Sequence, residues 1–197
     1  MLAALPGRGY AAYRLKPRWD TWIPDGTVIV EELVATDPGA HAALWRFVLD
    51  TDLSARTRAW ERPIDDVLPL LLREPAHLRI TAGEPVYLRL VDLPAALTAR
   101  RYGADDRLVL DVRDAFRPRN AGRWSLEVEG GTASCEATDD APDLVLDTAE
   151  LASVLLGGLR ATRLAAAGLL EARTPRAAAR LDGLVATDLA PWHIGTF

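Results

Sequence analysis

The side chains able to do chemistry are few, and their spacing limits what they can do. Asp92 closes an apolar run just ahead of Pro94. It either faces a cavity and attracts a cationic amine, or caps the helix that begins at Leu93, since aspartate is a favoured N-cap. His193 stands near the end of the chain, beside Trp192, and would either relay protons there or sit on the surface. His41 and His77 have no partners at metal-ligand spacing. Gly7-Arg8-Gly9 has the look of a phosphate loop, but such a loop must open a helix so that free N–H groups face the anion. The residues that follow, Gly9–Leu15, read as a strand, so the triplet is expected to be a turn. Trp19 and Trp22 flank Asp20 and are expected to pack, the alternative being a mouth or an interface. Cys135, the single cysteine, permits no internal disulfide and fits a small core residue.

Composition narrows the classes further. The chain has 197 residues, 49% hydrophobic and 26% charged, with a net charge of −5. Its arginines are scattered among acids, so no polyanion-binding stripe forms and nucleic acid is excluded as a partner. The longest apolar run, near Leu68–Leu72, is too short for a membrane span. The N-terminus lacks the basic region of a signal peptide, so a cytoplasmic location is expected. One lysine (Lys16), many arginines and no glutamine suggest a GC-rich bacterial genome.

Stepping along the chain, strands are expected at Gly9–Leu15, with no element before it, and at Thr27–Val34. Asp37-Pro38 starts a helix with Ala40, Leu44, Phe47 and Val48 on one face. A proline-punctuated stretch with a short helix near 65–72 follows, then a hairpin of 77–82 and 86–91, and a closing helix over 93–102. The boundary is placed after Gly103, giving domains of 1–103 and 104–197. In the second, strands 107–113 and 123–129 alternate apolar and charged residues. Gly130-Gly131 turns the chain into a return strand with Ala133, Cys135 and Ala137 inward, and 144–146 is a fourth strand. Asp147 and Glu150 form a capping-box pattern for a helix that stops at Gly157-Gly158. Helices near 161–167 and 175–184 precede an extended tail, 188–197.

Several runs resemble Eis-type N-acetyltransferases: Gly9-Tyr-Ala-Ala-Tyr-Arg-Leu15, Ala42-Ala-Leu-Trp-Arg-Phe47, Leu88-Arg-Leu-Val-Asp-Leu-Pro-Ala-Ala-Leu97, Phe116-Arg-Pro-Arg-Asn-Ala-Gly-Arg123, Leu151-Ala-Ser-Val-Leu-Leu-Gly-Gly158 and Ala190-Pro-Trp-His-Ile-Gly-Thr-Phe197. Their order and spacing carry the match over nearly the whole chain. The resemblance implies an α+β protein: a GNAT-like mixed sheet with helices, then a sterol-carrier-like sheet with helices on one face. It also implies that an N-terminal GNAT domain, holding acetyl-CoA and a general-acid tyrosine, lies outside this chain. No cofactor is therefore expected here, and acetyl-CoA belongs to the full-length parent. The family would use the terminal carboxylate of Phe197 as base toward a small amine, aminoglycoside-like, with Asp92, Trp192 and His193 as substrate-binding candidates. The expected partners are the parent's N-terminal domain and further copies, from dimer to hexamer. A lipid or sterol carrier is the alternative for the second half, and a scaffold that serves only assembly is a third reading.

Overall fold

The computed structural model describes residues 1–83 and 86–193. They form two units: 1–83 joined by Trp192 and His193, and a second unit ending at Pro191. The molecule is α+β in both. In the first unit, β1 (Leu2–Leu5), β2 (Gly9–Lys16), β5 (Gly26–Ala35) and β6 (Ser54–Ala59) make a sheet in the order β1-β2-β5-β6. The first two pairings are antiparallel and the last is parallel, so the connection from β5 to β6 must cross over. Helix α1 (Pro38–Leu49) makes that crossing. Between β2 and β5 lies a small ribbon, β3 (Trp19–Asp20) with β4 (Ile23–Pro24).

Gly7-Arg8-Gly9 is a turn, as the residues implied. Gly9 has φ +151°, and a Cβ there would meet the Val34 carbonyl oxygen at 2.4 Å. Arg8 forks onto Asp37 at 2.6 and 2.9 Å, and Asp37 caps α1 through Ala40 N–H at 2.9 Å. Two features of the sequence reading are corrected here. A strand, β1, precedes β2 and supplies its outer partner. On α1 the buried face carries Trp45 with Ala40, Leu44 and Val48, while Phe47 is half exposed. The Phe47 ring instead meets the edge of the Tyr13 ring at 5.8 Å.

In the second unit, β7 (Asp106–Arg113), β8 (Gly122–Glu129), β9 (Thr132–Ala137), β10 (Leu144–Asp147) and β11 (Leu170–Ala172) form a sheet in the order β11-β10-β7-β8-β9. Helices α3 (Leu93–Ala99), α4 (Thr148–Leu155), α5 (Ala161–Ala166) and α6 (Ala177–Val185) share one leucine-rich core with its even-numbered residues, Leu108, Leu110, Val112, Leu126 and Val128 among them. Of the return strand, Ala133 and Cys135 pack on this core, whereas Ala137 is exposed at the strand end. Burial pushes the Cys135 thiol up to about 11, so it is inert at neutral pH. A surface notch of about 300 Å³ lies along 116–119.

The hairpin expected over 77–82 and 86–91 does not form among the described residues. A lone two-stranded ribbon is marginal without a covering layer, and Ile80, Tyr87 and Val91 stay exposed. The boundary expected after Gly103 is displaced too, because the helix taken as the end of the first domain opens the second. Leu90, Leu93 and Leu97 are buried in the second core. The side chain of Asn120, 1% exposed, accepts from Leu93 N–H (3.2 Å) and donates to the Leu90 carbonyl (3.1 Å). The helix ends at Ala99, and Arg100 turns away to donate to the carbonyls of Leu155 and Val185 at the C-termini of α4 and α6.

Asn120 also donates to Asp114, 3.1 Å away. Asp114 is buried and accepts from Arg89 (2.6 Å), Phe116 N–H (3.1 Å) and Arg117 N–H (2.8 Å). Burial alone would raise its pKa. The Arg117 N–H, Asn120, Thr148 and the Arg89 charge together outweigh that and hold it at about 2, below the ordinary 3.8. A depressed carboxyl stabilises the fold above its unfolded pKa and loses that contribution as pH falls through the folded one. Stability of the second unit should therefore drop between about pH 4 and pH 2. Asp114→Asn should be less stable at pH 7 and show a flatter acid limb in urea titrations at stepped pH. An unchanged limb would mean that Asp114 does not set it.

Candidate functional site

One constellation of polar and aromatic side chains in the first unit has the burial of a built site. Its base is α1, where His41 and Trp45 stand four residues apart on one face. Trp45 is 2% exposed and its indole donates to His41 Nε2 at 3.2 Å. Nε2 is thereby an acceptor, and Nδ1 is buried with no hydrogen-bond partner. Above them runs the stretch from β6 to the short helix α2 (Leu68–Leu71), carrying Glu61, Arg62 and Asp66.

Arg62 occupies the centre. Its Nε and Nη2 both lie 2.9 Å from Asp66 Oδ2, and Nη1 donates to the Leu33 carbonyl on β5 at 2.8 Å. The other Asp66 oxygen accepts Leu68 N–H at 2.9 Å and lies 3.5 Å from His41 Nε2. Both side chains of the Arg62–Asp66 pair are largely shielded, at 18% and 10% exposure, where an arginine fork outperforms a lysine point charge.

The guanidinium lies against two indoles, with its Cζ 5.7 Å from the Trp45 ring centroid and 5.8 Å from that of Trp192. Both are within cation–π range. The Trp192 indole donates to the Glu61 carbonyl at 2.7 Å. Glu61 has φ +51°, a left-handed conformation that costs a non-glycine residue of order 1–2 kcal/mol. It aims that carbonyl at Trp192. The arrangement contains no activated nucleophile, and among the described residues no group of three or more ligands could hold a metal. What it can do is hold the chain at Trp192, five residues before the last one.

Of the residues picked out from sequence, Trp192 lies in this constellation and His193, next to it, is half-buried. Asp92 belongs to the second unit, where it caps α3 through Ala95 N–H at 3.0 Å; its other oxygen is 3.9 Å from Arg119. Phe197 lies outside the described residues. Trp19 and Trp22, expected to pack, are instead 54% and 88% exposed. An open concavity of about 600 Å³ is lined by Tyr13, Ala43, Arg46, Phe47, Asp50 and Thr51; it shares no residue with the anchor. Sequence reasoning missed His41, Trp45, Glu61, Arg62 and Asp66 as a group. The signal present was the Arg62–Asp66 spacing of four in a proline-rich stretch, which marks a local ion pair but not the tryptophans that close over it.

The acetyltransferase (GNAT) domain profile matches residues 3–90, and the sterol carrier protein domain profile matches residues 93–194. An N-acetyltransferase of Streptomyces coelicolor is 41% identical over 93% of this chain and 45% of its own length. N-acetyltransferase Eis of Mycobacterium tuberculosis is 36% identical over 95% of this chain and 44% of its own. The crystal structure of Eis1 from Mycobacterium abscessus superposes with a TM-score of 0.80 at 37% identity, covering 96% of this chain and 48% of that one. The chain thus spans about half the length of the relatives it matches. With both domain profiles in order and this level of identity, the chain belongs to the Eis-like N-acetyltransferase family.

Proposed function

We propose that this chain is the substrate-side and assembly portion of an enzyme that moves acetyl from acetyl-CoA to a small, aminoglycoside-like amine, with the Phe197 carboxylate as general base. The observation that carries this reading is the anchoring of Trp192. Chain termini ordinarily fray, yet here the segment is held by an indole hydrogen bond and a guanidinium within cation–π range five residues short of the end. Five residues reach at most about 17 Å, so the carboxylate acts within that radius of Trp192.

The chemistry follows. The carboxylate takes a proton from the substrate ammonium. The freed amine nitrogen attacks the thioester carbonyl, a C–N bond forms, the C–S bond breaks, and the thiolate leaves and is protonated. An α-carboxyl titrates near about 3.5, too low for an efficient base near neutrality. Desolvation among apolar groups would raise it. Asp92, half exposed, adds negative charge for a cationic amine while capping its helix, and Trp192 and His193 flank the base. A lipid carrier would require a continuous apolar tunnel, whereas buried leucines from the sheet and helices of the second unit meet in one cluster.

Acetyl-CoA binding is assigned to the longer protein, because the glycine turn at 7–9 opens a strand and not a helix. Calorimetry on the isolated chain should show no acetyl-CoA binding; micromolar affinity would place a cofactor site here. Assembly, as a dimer at least, draws on apolar side chains left in water, among them Trp22, Ile64, Leu70 and Tyr87, each over 80% exposed. Sedimentation of a clean monomer at high concentration would count against it.

In the full-length enzyme, amidating Phe197, deleting it, or adding one residue after it should lower kcat/KM by about 10²–10⁴-fold, the usual contribution of a general base. Thermal stability should be unchanged. Phe197→Leu keeps the carboxylate and should cost much less. Near-normal turnover by the extended enzyme would make the tail purely structural.

A further inference from the structure

We propose that Arg62 is the positioning residue of the C-terminal segment, an inference that rests on the reading of the Phe197 carboxylate as base. Three observations converge on it. Arg62 is the common neighbour of the anchor: it bonds β5 through the Leu33 carbonyl, closes on Asp66, and sets its Cζ within cation–π range of both Trp45 and Trp192. It directly follows Glu61, whose left-handed backbone presents the carbonyl that receives the Trp192 indole, so holding the Arg62 side chain also holds that peptide. Finally, Trp192 is 41% exposed. A single hydrogen bond on a half-exposed ring competes with water, so the neighbouring guanidinium supplies the second contact that keeps the ring in place.

The geometry requires a planar, five-donor cation. A lysine in its place keeps the charge but loses the fork on Asp66 and the flat face between the indoles. Trp192 is then held only from the Glu61 side. The effect passes to the reaction through the tether: once its anchor loosens, the terminal carboxylate samples a larger volume and meets the ammonium less often. Substrate and cofactor contacts are untouched.

The first test uses the 197-residue chain and the indole N–H resonance of Trp192, assigned by its loss in Trp192→Phe. Its exchange with water should be at least tenfold faster in Arg62→Ala, and faster than wild type in Arg62→Lys. Should the alanine variant not fold, the lysine variant decides. Unchanged exchange in a folded variant overturns the proposal. The second test uses the full-length enzyme. Arg62→Lys should lower kcat with little change in KM for acetyl-CoA. It should have no further effect when the terminus is already extended by one residue, since two changes acting through one group are non-additive. An equal loss in both backgrounds means that Arg62 does not act through the terminus, and overturns the proposal. Faster indole exchange with unaltered kcat overturns the positioning role of Arg62, whereas the carboxylate reading falls only if extending the terminus of the wild-type enzyme leaves turnover intact, so the two readings fail separately.

Discussion

A buried polar side chain has to find partners for all its donors and acceptors, or the fold loses of order 1–3 kcal/mol for each one left bare. Asn120 is where that requirement shapes the second unit. Its amide oxygen takes the Leu93 N–H, its amide nitrogen serves the Leu90 carbonyl and Asp114, and its own carbonyl takes the Trp124 indole at 2.9 Å. These bonds fix the start of α3, the loop after β7 and the first residues of β8 relative to one another. Asp114 completes the joint, binding two successive backbone N–H groups and Arg89, whose guanidinium also covers the Phe116 ring at 4.7 Å. With the joint closed, the leucines of β7, β8 and α3 have one arrangement in which all are dry.

The same rule operates in the first unit with a charge at its centre. A guanidinium taken out of water is costly unless paired and fully hydrogen-bonded. Arg62 meets that condition with one carboxylate, one backbone carbonyl and two indole faces. Removing any one partner leaves a shielded cation short of contacts, so the group behaves as a unit. It needs Asp66 in place, which α2 helps by offering the Leu68 N–H.

How much of this was legible depended on where the information resided. Central strands such as β5, β7 and β8 announce themselves through alternating apolar residues, because both neighbours and a core face constrain them. The strands missed, β1, β6 and β11 together with the two-residue strands β3 and β4, all lie at sheet edges. β6 reads Ser-Ala-Arg-Thr-Arg-Ala, with charges of the kind that keep an exposed edge from pairing with other chains, and so gives no periodic signal. The capping pattern at 147–150 was readable because it is local, and Glu150 does accept the Asp147 N–H at 3.1 Å. The Asn120 joint and the Arg62 stack were not, since each is made by residues tens of positions apart. Asp92 shows the limit of type and position. Its capping role was visible, yet the same residue type in the same place suited a substrate contact equally well.

Holding a segment part-way along its length has a physical consequence. Helix α6 ends at Val185, and Trp192, seven residues on, is held by the Glu61 carbonyl. Ordering a residue's backbone costs about 1–2 kcal/mol. Seven residues fixed between Val185 and Trp192 correspond to at most about 7–14 kcal/mol of backbone ordering, and less to the extent that 186–191 already make contacts such as Thr187 to the Leu189 carbonyl at 2.7 Å. A shorter tether also raises the effective concentration of its end group near the attachment point. These gains need no contact with substrate, so they can be built wholly from residues remote from the chemistry. In the same way, the second unit's likeness to a sterol-carrier fold does not by itself imply lipid, because function lives in sites and not in folds.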